Sequence, residues 1–209
     1  MFKDIQCVTF DLDNTLWPIE PTILIAEEKL FEWISDNFPK VTAKYSNADI
    51  AEKRAAFMIN RPDIAHDFTQ LRWHSLMELA EEFDYPENLA NEGLALFRKF
   101  RNQVDPYSVS EPILAKLKQH FKLGVITNGN AQVEKTSLAD YFEFVVSAAD
   151  AGVSKPHSKI FERAALMADV PIQKILHVGD CATSDVLGAM DAGCISVWLN
   201  MQKQPWPGG

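Results

Sequence analysis

The stretch Ile5-Gln6-Cys7-Val8-Thr9-Phe10-Asp11-Leu12-Asp13-Asn14-Thr15 decides how the rest of the chain is read. Its first six residues are rich in β-branched and aromatic side chains and run into an acidic, polar segment, the pattern of a short strand followed by a turn. Side chains two apart on an extended segment point the same way, so Asp11 and Asp13 can face one pocket.

Beyond residue 105 the same motif recurs. A helix at 110–120 precedes a strand from Leu123 to Thr127, and a helix at 131–139 precedes a strand from Phe144 to Ser147. A helix at 157–168, a strand from Ile175 to Gly179, a helix at 184–191 and a strand from Ile195 to Leu199 complete the series. This alternation predicts an α/β fold, a doubly wound parallel sheet with right-handed crossovers. The apolar strands fit a sheet covered on both faces.

Between 22 and 103 the period changes to three or four, first in Ile23, Ala26, Leu30, Ile34 and Phe38, then in Phe68, Leu71, Leu76, Leu79 and Phe83, and again in Leu89, Leu96, Phe97 and Phe100. Asn47 reads as the N-cap of a further helix. The expectation is a core formed by residues 1–18 and 104–209, with an all-helical insertion of about four helices at 19–103. The tail from Met201, with Pro205, Pro207, Gly208 and Gly209, is expected to be irregular and mobile.

With 209 residues, 47% of them hydrophobic, the chain has enough apolar side chains for a sizeable core. A net charge of -9 speaks against nucleic acid and anionic membranes as partners, both of which call for a basic surface. It does not exclude a phosphate substrate, because a bound divalent cation reverses the local field. Cys7, Cys181 and Cys194 are too few and too unevenly spaced for a disulfide framework or a zinc site. The absence of a leader pattern in residues 1–20 and of long apolar runs leads to the expectation of a cytoplasmic protein.

Chemistry-bearing residues gather where the strands end: Asp11 after the first, Thr127-Asn128 after the second, Lys155-Pro156 beyond the third, and Gly179-Asp180 after the fourth. In a doubly wound sheet those carboxyl ends line the ligand crevice, so four separated segments converge. His177, inside an apolar strand, reads as a satisfied structural histidine. Cys7 and Cys194 read as core residues and Cys181 as an inert thiol.

Asp11-Leu12-Asp13-Asn14-Thr15-Leu16 resembles the DxDxT signature of haloacid dehalogenase-type phosphatases. Thr127, Lys155-Pro156, and Gly179-Asp180 followed by Asp185 are similar to that family's remaining motifs, in order. The helical insertion looks like its type 1 cap. The resemblance implies a Rossmann-like core and hydrolysis of small-molecule phosphate monoesters. It also implies Asp11 as nucleophile, Asp13 as general acid and base, and Lys155 as charge balance, with Mg²⁺ held by Asp11, the Asp13 backbone carbonyl, Asp180 and Asp185. Thr127, Asn128 and a helix beginning near Asn130 would donate to the phosphoryl oxygens.

The chemistry supports the same roles. Phosphate monoesters are so inert that enzymes reach rate enhancements on the order of 10²¹, which calls for a positioned nucleophile together with strong charge stabilisation. A carboxylate attacking phosphorus splits one hard step into two through an aspartyl-phosphate.

Segments 126–132 and 140–145 look like the bacterial phosphatases acting on flavin mononucleotide and on the phosphorylated ribitylaminouracil of riboflavin synthesis, from which Trp17-Pro18 departs. Trp17 is expected to line the entrance, and so is Arg72, within the mixed aromatic and cationic segment 66–74. Two alternatives stay open: a catalytically silent binding protein on this fold, and a haloacid dehalogenase, which Asp13 disfavours because that branch of the family lacks an acid two positions after its nucleophile. A phosphorylated receiver domain is disfavoured by the size of the insertion.

Overall fold

A computed structural model describes residues 4–207, so the outermost residues of the 1–18 and 104–209 assignment, and Gly208 and Gly209 of the tail, lie outside the described residues. The chain divides into two compact units, Glu20–Gln103 and the remainder, Met1–Ile19 with Val104–Gly209. Among the described residues no helix is long and apolar enough to cross a membrane.

The helical unit contains five helices among the described residues where the periodicity predicts about four: α1 (Ile19–Asn37), α2 (Pro39–Lys44), α3 (Asn47–Asn60), α4 (Phe68–Glu82) and α5 (Asn88–Arg101). The extra element, α2, is a six-residue helix opened by Pro39, whose missing N–H and fixed φ suit the first helical turn. Thr22, Ala26, Leu30 and Ile34 are buried at intervals of four along α1. Ala26, Leu30 and Ile34 meet Leu76 and Leu79 of α4 and Leu89 and Phe97 of α5 in one apolar cluster. Each fully buried Leu or Phe of this kind contributes about 1.5–3 kcal/mol. Asn47 is the first residue of α3 and not its cap. Ser46 is the cap, its hydroxyl accepting from Asp49 N–H while the Asp49 carboxylate accepts from Ser46 N–H.

The sheet unit has five parallel strands, β1 (Cys7–Phe10), β2 (Lys122–Thr127), β3 (Phe144–Ser147), β4 (Ile175–Gly179) and β5 (Ile195–Trp198), in the order β3-β2-β1-β4-β5. The order reverses direction about β1, which puts the end of β1 at the switch point where such sheets bind ligands. Its helices are α6 (Ser110–Leu117), α7 (Ala148–Ala151), α8 (Ser158–Ala168) and α9 (Gly188–Asp191). Alternate residues of β1 serve opposite faces. Cys7 joins the cluster of α8 and α9, while Val8 and Phe10 join that of Leu114 on α6. β1 is wholly buried, whereas Val197 of edge strand β5 is 38% exposed, so coverage of both faces holds at the centre and lapses at this edge.

The helix expected at 131–139 is replaced by two 3-10 turns, Val133–Lys135 and Ala139–Tyr141. Thr136 adopts extended backbone between them, and its hydroxyl bonds Val133 O, the local side-chain competition that makes threonine a poor helix former. The helix expected at 184–191 begins instead as a π-type turn, Ala182–Leu187, before α9. The tail is irregular but tied down. Asn200 Nδ2 donates to Gln204 O at 2.8 Å, Gln204 N–H returns a bond to Asn200 Oδ1, and Trp206 packs edge-on to Trp198 with centroids 5.6 Å apart.

Candidate active site

β1 ends by delivering Asp11, whose N–H extends the ladder to Val178 O, so the carboxylate is placed by sheet hydrogen bonding and not by a mobile loop. Opposite it stands Lys155, 4% exposed, its ammonium bonded to Asp11 Oδ1 at 2.6 Å and to Ile126 O at 2.8 Å, and 2.6 Å from Asp185 Oδ1. Those three partners take up the three ammonium protons. Asn128 orients the lysine from behind. Its Oδ1 accepts from Lys155 N–H and its Nδ2 donates to Lys155 O, while Thr127 Oγ1 accepts from Gly129 N–H. No α-helix begins near Asn130, where the chain leads instead into the 3-10 turn at Val133, and the Asn128 side chain is committed to the lysine backbone. The Lys155–Pro156 peptide bond is cis.

Asp180 follows β4, with Thr15 Oγ1 donating to its Oδ1 at 3.4 Å and Trp198 Nε1 donating to its backbone carbonyl at 2.8 Å. Asp185 lies beneath, buried, its Oδ2 accepting from Cys181 N–H. The π-type turn brings it directly under the end of β4: a Cβ on Gly179 would stand 2.3 Å from Asp185 Cγ, a separation no side chain tolerates. Only glycine fits at 179. His177 is satisfied, as expected, with one ring nitrogen 2.9 Å from Thr9 Oγ1, the other 3.4 Å from Asp185 Oδ1, and its ring edge-on to Phe161.

Asp11, Asp180 and Asp185 each offer a carboxylate oxygen, and these atoms all lie within 4.8 Å of one another. An anionic, all-oxygen donor set fits a hard divalent cation such as Mg²⁺. Burial pushes the Asp11 carboxyl up to about 7 against the opposing Lys155 charge, and burial likewise raises Asp180, helped by Asp185. Burial also works against the ionisation of Asp185, but Lys155 and His177 outweigh it and hold this group well below the usual carboxylate range. Lys155 is raised in turn, since the two carboxylates overcome its desolvation. Two of the three carboxylates are therefore held by burial closer to their protonated form than free carboxylates are.

Asp11, Asp13, Thr127, Asn128, Lys155, Asp180 and Asp185 all belong to the sheet unit, at or just beyond the ends of β1, β2 and β4 or in the turn after β3 and α7. The two residues expected at the entrance are placed differently. Trp17 is fully buried within the cluster of Leu12, Leu16 and Leu114, its Nε1 donating to Asp13 Oδ1 at 2.8 Å. Arg72 is buried inside the helical unit, its two terminal nitrogens bonded to Glu27 at 2.7 and 3.1 Å and its guanidinium 3.3 Å over the Phe97 ring. Burial lowers it to about 10. Both are corrections, and the reason is the same: a polar atom on a large side chain found a partner inside. Thr15, Thr9 and Trp198, absent from the expected set, each bond a site residue or its neighbour. The DxDxT pattern was the available signal for Thr15. Cys7 and Cys194 are buried, with thiols pushed up to about 12, and Cys181 is exposed and accepts from Ser184 N–H.

Comparison with known proteins matches residues 5–193 to the haloacid dehalogenase-like hydrolase family. The 5-amino-6-(5-phospho-D-ribitylamino)uracil phosphatase YigB of Escherichia coli is 36% identical over 95% of this chain and 85% of its own length. The pyrimidine 5'-nucleotidase YjjG of the same organism is 28% identical over 97% of this chain and 89% of its own. Among solved structures, one described as a 2-haloacid dehalogenase from Pseudomonas syringae is 37% identical and superposes with a TM-score of 0.91, over 97% of this chain and 90% of that one.

Proposed function

Because the chain belongs to the haloacid dehalogenase-like hydrolases and is a phosphoric monoester hydrolase of that family, we propose that it cleaves small-metabolite phosphate esters through an aspartyl-phosphate on Asp11 with Mg²⁺ as cofactor. The observation that carries this reading is Asp11 held at the switch point by the buried Lys155 ammonium, with a second carboxyl, Asp13, two residues on.

In the first step an Asp11 oxygen forms a bond to phosphorus as the bond from phosphorus to the ester oxygen breaks, and Asp13 gives its proton to the departing alcohol. In the second a water oxygen attacks the same phosphorus, its proton passes to Asp13, and the aspartyl bond breaks to release inorganic phosphate and restore Asp11. Lys155 orients Asp11 and opposes its protonation, and its charge offsets part of the phosphoryl charge. Mg²⁺ would be held by Asp11, Asp180 and Asp185 with the Asp13 carbonyl, and would supply electrostatic stabilisation of the phosphoryl oxygens.

Asp13 separates this reading from dehalogenation. Halide departs as an anion and has no use for a proton donor, whereas an alkoxide needs one. The likeness to YigB supports phosphorylated ribitylaminouracil as substrate, with flavin mononucleotide as a second candidate of related structure. The test is phosphate release from a panel containing both compounds, with and without Mg²⁺, for the parent protein and Asp11→Asn. Mg²⁺-dependent turnover that Asp11→Asn abolishes is the expected result. Tight Mg²⁺ binding without turnover would mark a silent binding protein, and halide release from 2-haloacids would mark a dehalogenase.

A further inference from the structure

The turn that carries Asp13 is closed on itself by Trp17. Asp13 and Trp17 form an isolated backbone bridge, Asn14 N–H donates to Trp17 O at 2.7 Å, and the Trp17 indole N–H reaches back to Asp13 Oδ1 at 2.8 Å. Asn14 takes φ of 63°, a left-handed conformation that asparagine tolerates better than most residues, and its Oδ1 accepts from Ile19 N–H at 3.2 Å. From outside, Leu16 O accepts from both Tyr107 N–H and Ser110 Oγ, at 2.9 and 2.8 Å. The indole is a fixture of this frame: it has no exposed surface and belongs to the apolar cluster under the sheet.

We infer that Trp17 is a positioning residue that fixes the Asp13 carboxyl for proton transfer, a role resting on the acid–base assignment of Asp13 above. An indole nitrogen donates and never accepts, so the oxygen it holds, Oδ1, is an acceptor in both protonation states. The bond sets the direction in which the carboxyl faces, whichever oxygen carries the proton. A carboxyl on a turn has several rotamers open to it. A donor on a buried ring removes that freedom before substrate arrives, the kind of second-layer support that keeps reacting groups within a fraction of an ångström of a productive geometry.

The role predicts a dependence on leaving group that a merely structural residue would not produce. An acidic phenol departs without help, while an alkyl alcohol requires the Asp13 proton, and kcat/KM reports only the steps through the departure of that group. In Mg²⁺, Trp17→Phe should lower kcat/KM for an alkyl phosphate such as glycerol 2-phosphate about a hundredfold, within the range general acids contribute, and for p-nitrophenyl phosphate by less than about threefold. Equal losses on both esters would overturn the positioning role and leave the phosphatase reading intact, whereas a parent protein inert toward both would overturn the phosphatase reading and this role with it.

Trp17→Phe also removes buried volume, so a second measurement on the native indole keeps the inference testable if that variant does not fold. In protein labelled with ¹⁵N-tryptophan, Asp13→Ala should move one indole N–H resonance upfield and speed its exchange with solvent. Unmoved indole resonances would overturn the inference.

Discussion

Each unit buries a cluster of charges, and the two clusters are built on opposite plans. In the helical unit Glu27 of α1 is shared by Arg54 of α3 and Arg72 of α4, each guanidinium forking onto both carboxylate oxygens at 2.7–3.2 Å. Arg72 is further covered by Phe97. Every strong bond there is made, and the cluster ties three helices together. In the sheet unit three carboxylates, Asp11, Asp180 and Asp185, lie together, a single ammonium pairs with Asp11 and Asp185, and burial pushes Asp11 and Asp180 toward protonation. That cluster is electrically unfinished. A closed ion cluster stabilises a fold, whereas an open one is a place for something else to bind. Burial alone does not tell them apart, but the balance of charge does.

The sharpest way to break this contrast is to neutralise one carboxylate in each cluster. Asp11→Asn should cost at least about 10⁴ in kcat, the scale seen when a nucleophile is removed, while leaving the urea unfolding midpoint unchanged or higher, because it relieves crowding among carboxylates. Glu27→Gln should instead cost roughly 3–5 kcal/mol of stability, since the buried Arg72 guanidinium and the partly exposed Arg54 guanidinium lose their counter-charge. Urea unfolding followed by circular dichroism reads that loss. A stability loss for Asp11→Asn as large as that for Glu27→Gln would erase the distinction.

Next in size is Gly179→Ala. The new methyl would force Asp185 away from its place beneath β4, and the Mg²⁺ concentration for half-maximal activity should rise by about tenfold to a hundredfold. Titration of activity against Mg²⁺ checks this. An unchanged Mg²⁺ requirement would mean that Asp185 takes no part in holding the metal.

Acid and base should act on the two clusters in opposite senses. Glu27 is depressed below 4.5 in the fold by its arginines, so its contribution to stability is complete above 4.5 and is lost as pH falls through the lower folded value. Asp11 is raised from 3.8 to about 7, so between those values the folded, metal-free protein binds more protons than the unfolded chain. Its stability should therefore decline as pH climbs through that window, and saturating Mg²⁺ should abolish the decline. Thermal unfolding from pH 3 to pH 8, with and without Mg²⁺, separates the two slopes. The smallest effect expected is for Arg54→Ala, about 1 kcal/mol, because Arg54 is partly exposed and Arg72 still neutralises Glu27.

Much of the site was legible in sequence because its residues terminate strands, and strand ends are marked by an abrupt change from apolar to polar types. Asp11, Thr127 and Asp180 all sit at such boundaries. Lys155 was legible only through the resemblance of its motif, since nothing in Ser154-Lys155-Pro156 shows that the ammonium is buried. The failures have a common cause in contacts far apart along the chain. Trp17 follows a polar turn and reads as exposed, but its burial depends on Leu114, almost a hundred residues later. Arg72 reads as a surface cation, and what draws it inward is Glu27, which local periodicity does not reveal. The missed breaks at Thr136 and in the π-type turn belong to the other kind of failure, in which side-chain bonding and a crowded glycine override an apolar period.

Leu16 O, just before the chain departs for the helical unit, accepts bonds from Tyr107 N–H and Ser110 Oγ, just after it returns. Departure and return are thus one hydrogen bond apart within the sheet unit, and residues 20–103 are inserted between them. The loop-closure entropy of an insertion grows only logarithmically with its length, so a junction of this kind accepts a long module almost as readily as a short one. Lineages could exchange what is carried at that junction without redrawing the sheet.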